Sequence, residues 1–156
     1  ILYMILGYNF REMGFRFTNL TLTIILIAIT ILIGIPSKIL FGQPIYKIII
    51  LYFIQIFING LPEELFFRGY LLPRFDSFFK NPINALVIVS ILFNLIHIPS
   101  ELAHGLNIYS AILDSFTLIS PTGLIWGYLY LKTRSIVPGI FWHTSGTVLG
   151  DIFINI

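Results

Sequence analysis

Gly60-Leu61-Pro62-Glu63-Glu64-Leu65-Phe66-Phe67-Arg68 decides how this chain is read. Two carboxylates and an arginine fall within six residues, in a chain that is 57% apolar and only 10% charged. An ionisable side chain in hydrocarbon costs at least about 2.5–3.5 kcal/mol on insertion scales, so such groups are kept for a reason. A soluble domain of 156 residues needs more polar surface than this to cover its core. The stretch is therefore read as part of a membrane-embedded helix with functional charges. Pro62 suits a first helical turn, and Glu63 and Glu64 suit the positive end of a helix dipole.

On such a helix Glu64 and Arg68, four apart, share a face and can pair. Glu63 is rotated by about 100° from Glu64 and cannot occupy the same place. The expected division is a structural Glu64–Arg68 pair and a Glu63 that faces a cavity. Two other readings stay open: one charge network that locks two helices, or a surface turn in the headgroup layer.

Outward from this motif lie five apolar segments. They run about Leu20–Leu40, Ile45–Asn59 (continuing through the motif as a kinked or restarted helix to about Arg74), Pro82 to about Ile98 with a stop at Pro99, Ile108–Leu131 and Ile136–Ile156. Spanning helices need roughly 20 apolar residues, whereas barrel strands would be shorter and alternating. The expected fold is an all-α, polytopic membrane helix bundle with about five transmembrane helices. Residues 1–19, with Arg11, Glu12 and Arg16, read as an interfacial stretch at the end of an upstream region, because the chain begins at Ile1. Residues 20–156 read as the membrane domain. With no Cys, disulfides and thiol nucleophiles are excluded, and a net charge of +2 gives no reason to expect nucleic acid.

With five spans, one side receives Arg11, Arg16, Arg68, Arg74, Lys80, Lys132 and Arg134, and the other only Lys38 and Lys47. The positive-inside rule makes the first side cytoplasmic. The expected location is the plasma membrane, with a site open toward the cytoplasm. Helical rise puts Glu63 roughly 16 Å from Arg74, His143 roughly 12 Å from Ser135 and His97 roughly 22 Å from Pro82, so the three can meet in one layer.

Phe93 and His97 stand one turn apart on the third segment, and His143 and Thr147 one turn apart on the fifth. Either histidine alone fits a helix–helix hydrogen bond as well as a catalytic role. His104 reads as a solvated loop residue. Asp114 and Asp151 are further acids within or near the membrane, and Asp151 could hydrogen-bond within the bundle. Gly123/Gly127 and Gly146/Gly150 are small-xxx-small pairs that favour close helix packing.

Glu63-Glu64-xxx-Arg68, then Phe93-xxx-His97, then His143, together with Gly123-Leu124-Ile125-Trp126-Gly127 and the following run to Pro138, resembles the CPBP family of CAAX proteases and bacteriocin-processing enzymes. The likeness covers about residues 45–150. It implies an intramembrane endopeptidase of the glutamate type, without a metal. Glu63 would be the general base for a water, His97 would help hold that water, and His143 would sit on the oxyanion side. Glu64, Arg68 and Phe93 would support the site. The family usually has Asn or Asp one turn after the last histidine, where this chain has Thr147.

The expected partners are a peptide or membrane-protein substrate and the lipid bilayer; the oligomeric state is not legible. Two alternatives remain. Glu63, His97 and His143 could hold a zinc ion with an open position for water. The chain could also be a non-catalytic membrane immunity or scaffold protein of the same fold.

Overall fold

The computed structural model describes residue 7, residues 9–16, 18, 20–40, 42 and 44–154. Among the described residues five helices follow one another: α1 (Leu20–Leu40), α2 (Ile45–Phe79), α3 (Pro82–Ala103), α4 (Ile108–Thr133) and α5 (Val137–Ile154). No strand occurs among the described residues. Among those residues α2, α3 and α4 are long and apolar enough to cross a membrane. Their outer faces carry large exposed apolar side chains, including Phe53, Ile58, Phe66, Ile83, Tyr109 and Leu113. In water such a surface would be a liability. In lipid it is the solvent-facing side, and the chain is an integral membrane protein.

The turns explain where the helices start and stop. Lys80 ends α2 in a left-handed conformation (φ 50°). The Asn81 side chain then accepts hydrogen bonds from the Ile83 and Asn84 amides at 2.9 and 3.3 Å, with Pro82 in the first turn of α3. Asn107 caps α4 in the same way through the Ser110 amide at 3.0 Å. Ser135 Oγ accepts from the Val137 amide at 3.2 Å to start α5. These caps satisfy amides that have no partner inside their own helices.

Two boundaries differ from the sequence reading. α3 does not stop at Pro99; it runs one turn further to Ala103. Proline removes one backbone donor, but the next turn is held by bonds that do not need it, such as His104 N to Ser100 O at 3.0 Å. α2 is neither restarted at Pro62 nor finished at Arg74. It is continuous to Phe79, with π-helical turns at Ile56–Gly60 and Leu65–Leu71 on either side of the α-turn Leu61–Glu64. A π-turn inserts one residue per turn, which absorbs the missing proline amide and rotates the Glu63–Glu64 turn relative to the rest of α2.

α1 lies along α5, and α3 packs on the C-terminal part of α2 and on α4. The core is formed by Phe67, Leu72, Ala85, Val89, Phe93, Trp126, Tyr130, Ile136 and Ile140. The N-terminal stretch meets the helix ends here: Gly14 O accepts from the Ile136 amide at 2.9 Å, and the Thr18 hydroxyl donates to the Thr133 carbonyl. The two glycine pairs fare differently. Cβ atoms at Gly123 and Gly127 would press on Phe93 and Leu86 of α3, so these glycines set close packing, whereas Gly146 faces open space. The side chain of Asp151 lies outside the described residues.

Candidate active site

Glu64 and Arg68 face inward from α2 and are both 1% exposed. Arg68 Nη1 donates to Glu64 Oε1 at 2.9 Å, and Nη2 donates to the Gly123 carbonyl of α4 at 3.0 Å. The guanidinium carbon lies 4.5 Å from the centre of the Phe93 ring and 5.4 Å from that of Trp126. A buried cation thus receives a carboxylate, a carbonyl and aromatic faces at once, as a charge taken out of water requires. Glu64 fits only because position 139 lacks a side chain. A Cβ on Gly139 of α5 would stand 2.5 Å from Glu64 Oε2 and 3.0 Å from its carboxyl carbon.

Glu63, one step around the same turn, looks the other way. Its side chain is 23% exposed, and it lines a cavity of about 370 Å³ with Asn59, Ile96, His97, Ser100, His104, His143 and Thr147. His97 Nε2 lies 3.9 Å from Glu63 Oε2, and His143 Nε2 lies 3.7 Å from the same oxygen. That oxygen has no hydrogen-bond partner among the described residues. The separations are too long for direct hydrogen bonds but suit a shared water.

The histidines are held from behind. His97 Nδ1 is 2.7 Å from the Phe93 carbonyl, which can only accept, so Nδ1 carries the proton. In the neutral ring Nε2 is then an acceptor facing Glu63. His143 Nδ1 stands 3.5 Å from Glu64 Oε1, and its ring stacks on Trp126 with centres 4.3 Å apart. Phe93 is fully buried and touches Phe67, His97, Trp126 and His143. Phe93 therefore joins the Arg68 pocket to both histidines.

The seven residues to which the resemblance gave a place in or beside the site are thus brought together: Glu63, His97 and His143 around one oxygen, Glu64, Arg68 and Phe93 behind them, and Thr147 on the cavity wall. The Thr147 hydroxyl donates back to the His143 carbonyl at 3.2 Å. Asp114 is not among the residues lining this cavity. His104, expected in a solvated loop, is exposed and also forms part of the cavity wall. Sequence reading missed Trp126 as the platform for His143, Gly139 as the space for Glu64, and Tyr52, whose hydroxyl donates to Ser145 Oγ at 2.9 Å and ties α2 to α5. Asn94 also escaped notice. It is fully buried, and neither end of its amide has a hydrogen-bond partner among the described residues. Among the described residues no group of three His, Asp or Glu side chains is arranged to hold a metal ion.

Residues 45–149 match the family model described as type II CAAX prenyl endopeptidase Rce1-like. The chain belongs to the Rce1-like family. This agrees with the resemblance read from the ordered motifs, and every residue of the site lies inside the matched range. The chain is also similar to an uncharacterized protein, YyaK, of Bacillus subtilis (strain 168), with 32% identity over 93 residues. That alignment covers 60% of this chain and 29% of the relative, so the Rce1-like chain spans under a third of the relative it matches. No solved structure matches it.

Proposed function

We propose that the chain is an intramembrane endopeptidase in which Glu63 activates a water. The observation that carries this reading is the convergence of His97 Nε2 and His143 Nε2 on one unpartnered carboxylate oxygen in a cavity. A water there donates one proton to Glu63 and the other to His97 Nε2, which leaves its lone pair free for a peptide carbonyl. Glu63 takes the proton as the oxygen adds to the carbonyl carbon. His143, protonated at Nε2, donates to the oxyanion. Glu63 then returns the proton to the leaving nitrogen as the C–N bond breaks, giving an amine and a carboxylic acid, which loses its remaining proton to water. General acid–base help of this kind contributes about 10²–10⁴ in rate. An oxyanion donor contributes about 10²–10³.

Family membership supports endopeptidase chemistry; the prenylated substrate in the family's description is not carried over to this chain. We place the protein in the plasma membrane with its basic end in the cytoplasm. The test compares peptide termini in cells expressing wild type or Glu63→Gln at equal membrane abundance. Termini present with wild type and lost with Glu63→Gln are the expected result. Identical termini with a shared phenotype would overturn it in favour of an immunity or scaffold role. Loss of cleavage on chelation, restored by zinc, would favour the metal reading, in which Glu63, His97 and His143 would have to leave the arrangement seen here to act as ligands.

A further inference from the structure

The C-terminal part of α2 carries a run of joined side chains, none of which lines the Glu63 cavity. Phe66 stacks on Tyr70 with ring centres 6.3 Å apart and planes 11° from parallel. The Arg74 guanidinium carbon lies 3.6 Å from the centre of the Tyr70 ring, and Nη1 donates to the Tyr70 carbonyl at 2.9 Å. Arg74 also lines a cavity of about 330 Å³, whose described wall is completed by Phe75 and Phe78. Phe66 and Phe78 are exposed, Phe78 at 77%. Phe79 stacks on Phe75 and meets Phe78 edge to face, so three rings gather at the end of the helix. Lys80, also exposed, follows them directly.

Aromatic rings gathered beside basic residues suit the boundary between hydrocarbon and headgroups. There Arg74 is laid flat on Tyr70, so its orientation is set before a ligand arrives. A guanidinium presents a planar fork of N–H donors, a shape that matches a phosphate group. The other two wall residues are phenyl rings, which attract hydrocarbon and add nothing to the binding of a free phosphate ion. Asp76, the acid nearest in sequence, lies 3.6 Å from Arg134 at the α4–α5 turn, so its charge is matched there. We propose that this cavity binds a phospholipid with a net negative headgroup. Arg74 holds the phosphate, Phe75 and Phe78 flank the glycerol esters, and an acyl chain runs over the exposed Phe66. Lys80 sets the preference for net charge. Six residues of rise put it about 9 Å from Arg74, within reach of a headgroup at physiological salt. A zwitterionic headgroup would bring its own cation up to that lysine, and a net negative one would not.

The test uses the whole chain purified in a neutral detergent. It is offered equimolar phosphatidylglycerol and phosphatidylcholine with the same acyl chains, and the retained lipids are counted by native mass spectrometry. Wild type should keep phosphatidylglycerol in preference. One basic residue beside an anionic lipid is worth about fivefold in affinity. Arg74→Gln should therefore lower phosphatidylglycerol retention about fivefold and leave phosphatidylcholine unchanged. Lys47→Gln removes a charge at the other end of α2 and should change neither. Phe78→Ser alters an exposed ring, so it keeps the fold and should still weaken phosphatidylglycerol retention; it decides the matter if Arg74→Gln does not fold. Equal retention of the two lipids by wild type, equal losses in Arg74→Gln and Lys47→Gln, or full retention by Phe78→Ser each overturns the proposal. Displacement of phosphatidylglycerol by millimolar inorganic phosphate would overturn it too, in favour of a site for the free ion. None of these outcomes depends on peptide cleavage, so the lipid site and the Glu63 mechanism stand or fall separately.

Discussion

Glu63 and Glu64 are neighbours in sequence and opposites in surroundings. Glu64 is sealed at 1% exposure, bonded to Arg68 and pressed against Gly139. Glu63 lines a cavity, and its Oε2 lies between two imidazoles without a hydrogen-bond partner among the described residues. One residue of helical rotation, about 100°, separates a charge that holds the bundle together from a charge free for chemistry. In the proposed mechanism the pair teaches how a membrane protein supports a general base: the second carboxylate and its arginine fix the turn, so that the first need not be fixed by bonds of its own.

Breaking the sealed side should have the largest effect on folding. Arg68→Leu leaves the Glu64 carboxylate buried and uncompensated, which costs about 3–5 kcal/mol when one partner of such a pair is removed. The expected outcome is a sharp fall in folded protein and in thermal stability in detergent. Adding Glu64→Gln to Arg68→Leu should recover much of that loss, because the stranded charge is gone. Glu63→Gln should instead leave the melting transition unchanged while abolishing cleavage. If Glu63→Gln is as destabilising as Arg68→Leu, the two carboxylates form one structural network and the contrast fails.

Next in size is His143→Gln, which keeps a polar side chain against Trp126 but not an imidazole facing both carboxylates. Loss of an oxyanion donor predicts about 10²–10³ lower kcat with little change in KM. A matching rise in KM with kcat unchanged would instead make His143 a binding residue. Gly139→Ala tests the other side of the same histidine. A methyl group there would drive into the Glu64 carboxylate, and over-packing of this kind costs about 1–3 kcal/mol. The expected result is a lower melting temperature together with reduced activity, since His143 Nδ1 faces the displaced oxygen.

The helices and the site were legible in the sequence to different depths. Five helices followed from apolar runs and loop residues such as Lys80-Asn81-Pro82, because backbone in lipid has few alternatives. Glu63, Glu64, Arg68, His97 and His143 were legible because charged and titratable groups are conspicuous in an apolar chain. What stayed hidden depends on neighbours rather than on residue type. Trp126 looked like one more aromatic, since nothing in its own segment says that His143 will stack on it. Gly139 had no spacing signal, because its role is to be empty where Glu64 arrives. The continuation of α3 through Pro99 was hidden as well, since proline marks the lost bond but not the bonds that carry the helix on. His104 joined the cavity wall only because that extra turn brings the end of α3 over it.

Thr147 offers the smallest and most pointed test of the cavity side. Its position is where the family's Asn or Asp would stand, and an amide there would have a donor to turn into the cavity. The Thr147 proton is committed to the His143 carbonyl, so in this arrangement the hydroxyl presents only lone pairs to the cavity. An acceptor cannot stabilise a developing oxyanion. Thr147→Val removes the hydroxyl at nearly constant shape, and the carbonyl it bonded belongs to a helix that continues beyond it. The expected change in kcat is therefore no more than about threefold, the scale of a bond worth about 0.5 kcal/mol. Thr147→Asn should raise kcat if the cavity lacks a second donor, and leave it unchanged if His143 alone suffices. A fall of tenfold or more in Thr147→Val would mean that the hydroxyl turns toward substrate during the reaction. The cavity wall would then contribute an oxyanion donor of its own.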